Sequence, residues 1–211
     1  RAAQILVGKR NSGFAGLVLT DPGYGREDSY LGRYISGLGK GLSEISGNLG
    51  GNVDTIIQDS VGAGNNPGIG ALTLSGNNVA FVGGVEVKRG TLKVTSAAGL
   101  NSSNTVSVSA AAFFRLNENI SIAGLNDGIG GGGSVGNSNA SARTLTIGGS
   151  GSYNFSGAIE NVAGALALTK SSSGTQSLSG SNTYTGTTTI NSGTLLVSGS
   201  HTGAGAYSVD S

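Results

Sequence analysis

A string of about twenty residues occurs twice in this chain, and few folds can accommodate that. LSGNNVAFVGGVEVKRGTLKV (Leu74–Val94) aligns with LSGSNTYTGTTTINSGTLLV (Leu178–Val197). Leu74, Ser75, Gly76 and Asn78 match Leu178, Ser179, Gly180 and Asn182 at an offset of 104. After one gap, Phe81, Gly83, Val87, Gly90, Thr91, Leu92 and Val94 match Tyr184, Gly186, Ile190, Gly193, Thr194, Leu195 and Val197 at an offset of 103. A second echo precedes each copy: Ile45-Ser46-Gly47-Asn48-Leu49 against Phe155-Ser156-Gly157-Ala158-Ile159. A unit of roughly 100 residues is too long for one structural repeat. It divides into four or five coils of roughly 20–25 residues, the period range of solenoids.

The patterning inside the coils is that of strands. Val85 and Val87 alternate with Glu86 and Lys88, Leu92 and Val94 flank Lys93, and Val106 and Val108 alternate with Ser107. Leu145 and Ile147 flank Thr146 in the same way. Such two-residue alternation marks half-buried strands. Half of the 211 residues are Gly, Ser, Thr or Asn, whereas Pro occurs twice. Collagen, which needs Pro and Gly at every third residue, is excluded. Charge-driven disorder is excluded too, because 36% of residues are hydrophobic and only 11% are charged. Asn-Gly hairpin turns are absent, so parallel stacking suits the repeats better than hairpins. One stretch has helical spacing: Leu31, Ile35, Leu38, Leu42 and Ile45. Gly32, Gly37, Gly39 and Gly41 interrupt it at a cost of about 1 kcal/mol each, which favours strand-turn-strand. The inward positions are expected to include Leu72, Leu74, Val85, Val87, Leu92, Val94, Val106, Val108, Leu145, Ile147, Leu166, Leu168, Ile190, Leu195 and Val197.

GSNTYTGTTTINSGTLLVSG (Gly180–Gly199) closely resembles the passenger-associated repeat of bacterial autotransporters. RTLTIGGSGSYNFSGAIENVAGALALTKSSSGTQSLSG (Arg143–Gly180) is similar to the stretch that precedes that repeat in the family, and Leu74–Val94 is a looser copy. The resemblance covers roughly residues 36–199. It implies an all-β chain folded as a right-handed, single-stranded parallel β-helix, here of about nine or ten coils. It also implies export to the outer-membrane surface or the extracellular medium, and it contributes no catalytic residues. Residues 36–211 form the expected β-helix region, and residues 1–35 an N-terminal segment acting as a cap or an interface. The chain opens at Arg1 and contains no Met, so it reads as a piece of a longer precursor.

Chemistry-bearing residues are few. Cys is absent and His201 is the sole His, so no thiolate or multi-histidine metal site is expected, nor any cofactor. His201, with Ser208 and Asp210 nearby in sequence, reads as a solvated loop His rather than part of a triad. Gly128–Gly133 satisfies G-x-G-x-x-G, but Gly is too abundant and the βαβ context is missing. The net charge of +1 gives no electrostatic case for nucleic acid, and no apolar run is long enough to span a bilayer. The acidic residues do not recur at coil spacing, which weakens a polysaccharide lyase or hydrolase.

Tyr24, Arg26, Tyr30, Arg33 and Tyr34 cluster near the N-terminus, and Tyr and Arg are enriched at interface cores. The chain's other end, with Tyr207 and Val209, alternates like a strand and carries one charge, Asp210. The function expected is that of an extracellular structural module, its partner another copy docked head to tail or a host or matrix surface. An adhesin or glycan-binding module is the alternative, although aromatics are 5% and Trp is absent.

Overall fold

The computed structural model describes residues 70–210 in full and, before them, only the backbone of seven short strands. Those are β1 (Ile5–Leu6), β2 (Lys9–Arg10), β3 (Gly13–Phe14), β4 (Val18–Leu19), β5 (Tyr34–Leu38), β6 (Glu44–Ile45) and β7 (Thr55–Asp59). The fully described part continues with β8 (Ala71–Leu74), β9 (Gly84–Arg89), β10 (Thr91–Val94), β11 (Thr105–Val108) and β12 (Phe113–Leu116). Then come β13 (Ile120–Ile122), β14 (Gly124–Asp127), β15 (Ser134–Asn137), β16 (Arg143–Ile147), β17 (Ser152–Phe155) and β18 (Ala158–Glu160). The last are β19 (Leu166–Leu178), β20 (Ser181–Asn182), β21 (Thr188–Val197), β22 (Ser200–His201) and β23 (Tyr207–Val209).

From β5 onward every strand pair is parallel, and three sheets run along the stack. The first holds β6, β8, β10, β12, β15 and β18; the second β13, β16, β19, β21 and β23; the third β5, β7, β9, β11 and β14. The third is carried on by β17 and the second halves of β19 and β21, where Ser152 pairs with Thr175 and Thr175 with Thr194. Pairs β20–β22 continue the first. From β12 on the chain therefore winds first, second, third sheet and back, whereas β8–β9 and β10–β11 pass from the first sheet straight to the third; the whole is an all-β solenoid of about seven turns. From β8 onward the strands of the first stack begin at residues 71, 91, 113, 134, 158, 181 and 200, so one turn there takes 19–24 residues. The expected nine or ten coils were too many. That count spread coils over the whole chain, whereas β1–β4 and β2–β3 pair antiparallel and join none of the three stacks. The stretch with helical spacing contains β5 and β6, so the strand reading holds there.

Inward columns follow from the alternation. Leu72, Leu92, Phe114, Val135 and Ile159 stack in register from turn to turn, and all are fully buried. Of the fifteen expected inward positions twelve are buried, while Ile190, Leu195 and Val197 are half-buried. The two sequence copies each occupy about one turn but begin on different sheets. Leu74 ends a strand of the first sheet, whereas Leu178 closes the third-stack half of β19. The matched residues nonetheless do the same work. Asn78 and Asn182 are buried, each amide donating to a carbonyl of another turn: Gly99 O at 3.1 Å and Ser200 O at 3.2 Å. Phe81 and Tyr184 are the buried aromatics, and Gly90 and Gly193 both take left-handed φ, 74° and 76°. The repeat thus encodes a turn with its corner, which can be placed on any face.

Turns about 4.8 Å apart leave no space for side chains where backbones stack at a corner. Gly133, Gly157, Gly180 and Gly199 form such a column, in which a Cβ on any of the last three would collide with the carbonyl oxygen of the glycine before it. Gln176 fills a different gap. The Tyr153 ring packs directly on Gly124, and the Gln176 amide reaches Leu125. It accepts from Leu125 N–H and donates to Leu125 O, both at 3.0 Å, standing in for the missing strand partner.

Three variants should differ in their urea unfolding midpoints. Gly180→Ala destabilises by about 1–3 kcal/mol, while Gly84→Ala, whose Cβ would meet only Thr105 Oγ1 at 3.6 Å, is near neutral. Gln176→Leu, which orphans a buried N–H and a C=O, costs about 2–4 kcal/mol.

Candidate interaction surfaces

The sequence-predicted interface residues divide between described and undescribed parts. Tyr24, Arg26, Tyr30 and Arg33 lie outside the described residues, and Tyr34 opens β5, of which only the backbone is described. Tyr207 and Val209 are on β23, which pairs with β21 along one edge; they are 51% and 69% exposed. His201 corrects an expectation. It sits on β22, half-buried, its ring stacked on Tyr184 at 4.2 Å and edge-on to Tyr207 at 5.6 Å. Nε2 donates to the Tyr184 carbonyl at 2.9 Å, and Nδ1 is hydrogen-bonded with the Tyr207 hydroxyl at 2.7 Å. Both ring nitrogens are engaged with tyrosines, which is why it is not a solvated loop side chain.

The outer surfaces of the three stacks differ in charge. On the second sheet Ser121, Thr146, Thr169, Thr189 and Ser208 follow one another in register, an uncharged hydroxyl column. On the third, Glu86 and Lys88 pair with each other at 3.3 Å. The first sheet carries the densest polar cluster. Thr73, Lys93, Arg115, Gly136 and Glu160 form one outward column, and Thr91, Phe113, Ser134 and Ala158 the next. Because Gly136 has no side chain, Arg115 reaches across it to Glu160 at 3.2 Å and donates to Ser134 Oγ at 2.7 Å; Ser134 Oγ also bonds Glu160. Burial lowers the Arg115 pKa, and Glu160 partly offsets that effect. The Arg115 guanidinium lies 4.8 Å over the Phe113 ring.

Val162 covers Gly136: a Cβ there would meet Val162 Cγ2 at 2.5 Å. Val162 holds φ at 70°, a conformation that β-branched residues rarely adopt and that costs about 1–3 kcal/mol. Sequence reading missed this cluster because Arg115 and Glu160 are 45 residues apart and meet only once the turn length is known. The alternation of Phe113 and Arg115 against buried Phe114 and Leu116 was its one visible sign.

Inside the stack, Lys170 is fully buried between Ile147 and Ile190 of adjacent turns. Its ammonium donates to the Ser172 carbonyl, and no carboxylate pairs with it among the described residues. Desolvation lowers its pKa. Tyr184, also buried, is pushed up to about 12, chiefly by desolvation, and its hydroxyl meets Thr188 Oγ1 at 2.8 Å.

Compared with known proteins, the chain matches the family model described as passenger-associated-transport-repeat at residues 68–94 and 168–197. Those segments contain the two sequence copies, so the chain carries two such repeats, consistent with an autotransporter passenger built on β-strand repeats. No curated protein and no solved structure matches it.

The two buried groups predict opposite pH effects. A folded-state Lys170 pKa below 10.5 means the unfolded chain binds more protons, so stability rises as pH climbs toward 10.5. Lys170→Met removes that rise and has the higher urea midpoint at pH 7. Tyr184, raised from 10.0 to about 12, contributes stability that is complete below pH 10 and lost toward pH 12. Tyr184→Phe flattens that alkaline limb.

Proposed function

We propose that this chain is a structural β-helix segment of an autotransporter passenger, secreted to the cell surface, with a mechanical rather than catalytic task. The observation that supports it most is the succession of parallel strand pairs from β8 to β23 around one aliphatic core that runs from Leu72 to Tyr184. The two passenger repeats support the surface location. Negative-stain images of the purified chain should show short rods rather than globules. No catalytic step is assigned to it: His201→Ala leaves any biological phenotype of the parent protein intact, and loss of a hydrolytic activity in that variant would overturn the assignment.

The rod is inferred to associate end to end with other copies. Strand edges template further pairing unless charge, Pro or a covering element blocks them. Around β23 the exposed groups include Leu196, Tyr207 and Val209, and Asp210 is the nearest charge. Tyr207 and Val209 would meet the segment holding Tyr24, Arg26, Tyr30, Arg33 and Tyr34 on the next copy, a head-to-tail contact that propagates. Sizing chromatography should show concentration-dependent growth that Leu196→Lys with Val209→Lys abolishes. A wild-type monomer at the highest attainable concentration would refute it.

A second reading is adhesion through a lateral face to a host or matrix surface. It is favoured by the aromatic ring and cations on the outer side of the first sheet.

A further inference from the structure

We propose that Arg115, Ser134 and Glu160, closed under Val162, form a clamp that sets the register of β15 against the turns on either side. The need for one follows from the period of a strand. A slip by one residue would turn buried side chains outward, whereas a slip by two preserves the alternation and goes unpenalised by it. Short corners or paired apolar residues hold the other first-stack strands from β10 on. One residue leads into β10, four into β12, and two each into β18, β20 and β22. β10 and β12 each bury two apolar side chains, Leu92 with Val94 and Phe114 with Leu116. β15 has neither restraint. Residues 128–133 lead into it, five glycines and Ile129, with Gly130 and Gly131 at φ 79° and 101°. Five more residues, 138–142, lead out of it. Its inward apolar side chain is Val135 alone, beside the buried Asn137.

The clamp lies on this strand and reaches both of its neighbours. Arg115 stands on β12 and Glu160 on β18, and they meet at 3.2 Å across Gly136. Arg115 also donates to Ser134 Oγ at 2.7 Å, and Ser134 Oγ bonds Glu160, so three successive turns are joined at one point. Asn137, by contrast, donates to the carbonyls of Ser141 and Ala165, which ties β15 to the following turn only. A Cβ on Gly136 would meet Arg115 Nη1 at 3.1 Å and Val162 Cγ2 at 2.5 Å, so the crossing needs a residue without a side chain. Slipping β15 by two residues would bring Ser134 or Ser138 to that point and close the gap. Val162 covers the crossing at φ 70°, and such backbone strain persists where the surroundings over-determine it. A rod with a mechanical task would yield by about 6.6 Å at a strand that slipped two residues, which gives the clamp its use. The register can be tested apart from that task.

The test is the amide NMR spectrum and hydrogen exchange of the whole chain carrying Arg115→Met with Glu160→Leu, apolar replacements that leave no buried charge unpaired. A second set of β15 amide signals should appear at about 10% of the total intensity. The β15 amides should also exchange about tenfold faster than in the wild type, while those of β10 hold. Should the double variant fail to fold, Arg115→Gln gives the same signature, because it is too short to span Gly136 and leaves the more exposed Glu160 open to water. Arg143→Met with Glu118→Leu removes another ion pair, 3.5 Å long, and should leave β15 with one set of signals. One set of signals in the clamp variant, with native β12–β15 contacts and unchanged exchange, overturns the clamp. Equal doubling of the β15 signals in the Arg143 and Glu118 control overturns it too.

Discussion

The inter-turn hydrogen-bond ladder governs this molecule. It fixes adjacent turns about 4.8 Å apart, and every other feature must fit that spacing. Side chains on one rung lie directly on those of the next, so an inward aliphatic is covered above and below and becomes fully buried. Corners, where backbone meets backbone, have no room for a Cβ, which is why glycines recur there as a column. Buried asparagines complete the ladder where strands give way to turns. Asn104 donates to the Phe81 and Gly83 carbonyls, both at 2.9 Å, and Asn137 to those of Ser141 and Ala165, also at 2.9 Å. Each amide replaces a backbone partner that an irregular corner cannot supply, and a buried carbonyl without one is costly.

The interior also contains two departures from pure hydrocarbon. Gln176 repairs the ladder where Tyr153 displaces a strand partner, so its polarity serves the same constraint. Lys170 does not: its ammonium has one carbonyl and, among the described residues, no counter-charge. It sits where β19 shifts register against β21, at the Lys170–Ser171 step, and its bond to Ser172 ties down the wider corner. An interior this regular leaves variation to the outside, where each sheet presents its own chemistry at the same rung spacing. Hydroxyls line one surface, a closed ion pair another, and a strained, aromatic-bearing polar cluster the first.

The alternation of Val85, Val87, Leu92 and Val94 with polar residues was enough to determine strands and which side chains face inward, while the repeats and the missing Asn-Gly turns pointed to parallel stacking. The repeated Asn, aromatic and Gly positions were visible as matches, and the structure shows why they recur: each meets a local requirement of the corner, a buried amide, a large filler or a left-handed φ. What the sequence could not determine depends on turn length summed along the chain. Turns of 19–24 residues bring Arg115 over Gly136 to Glu160, and His201 onto Tyr184, only once each corner's residue count is known. The number of turns failed for the same reason, since strand-like residues near the N-terminus pair antiparallel and add none. Inward and outward sides are local properties of the chain, but which outward residues become neighbours is decided by the winding.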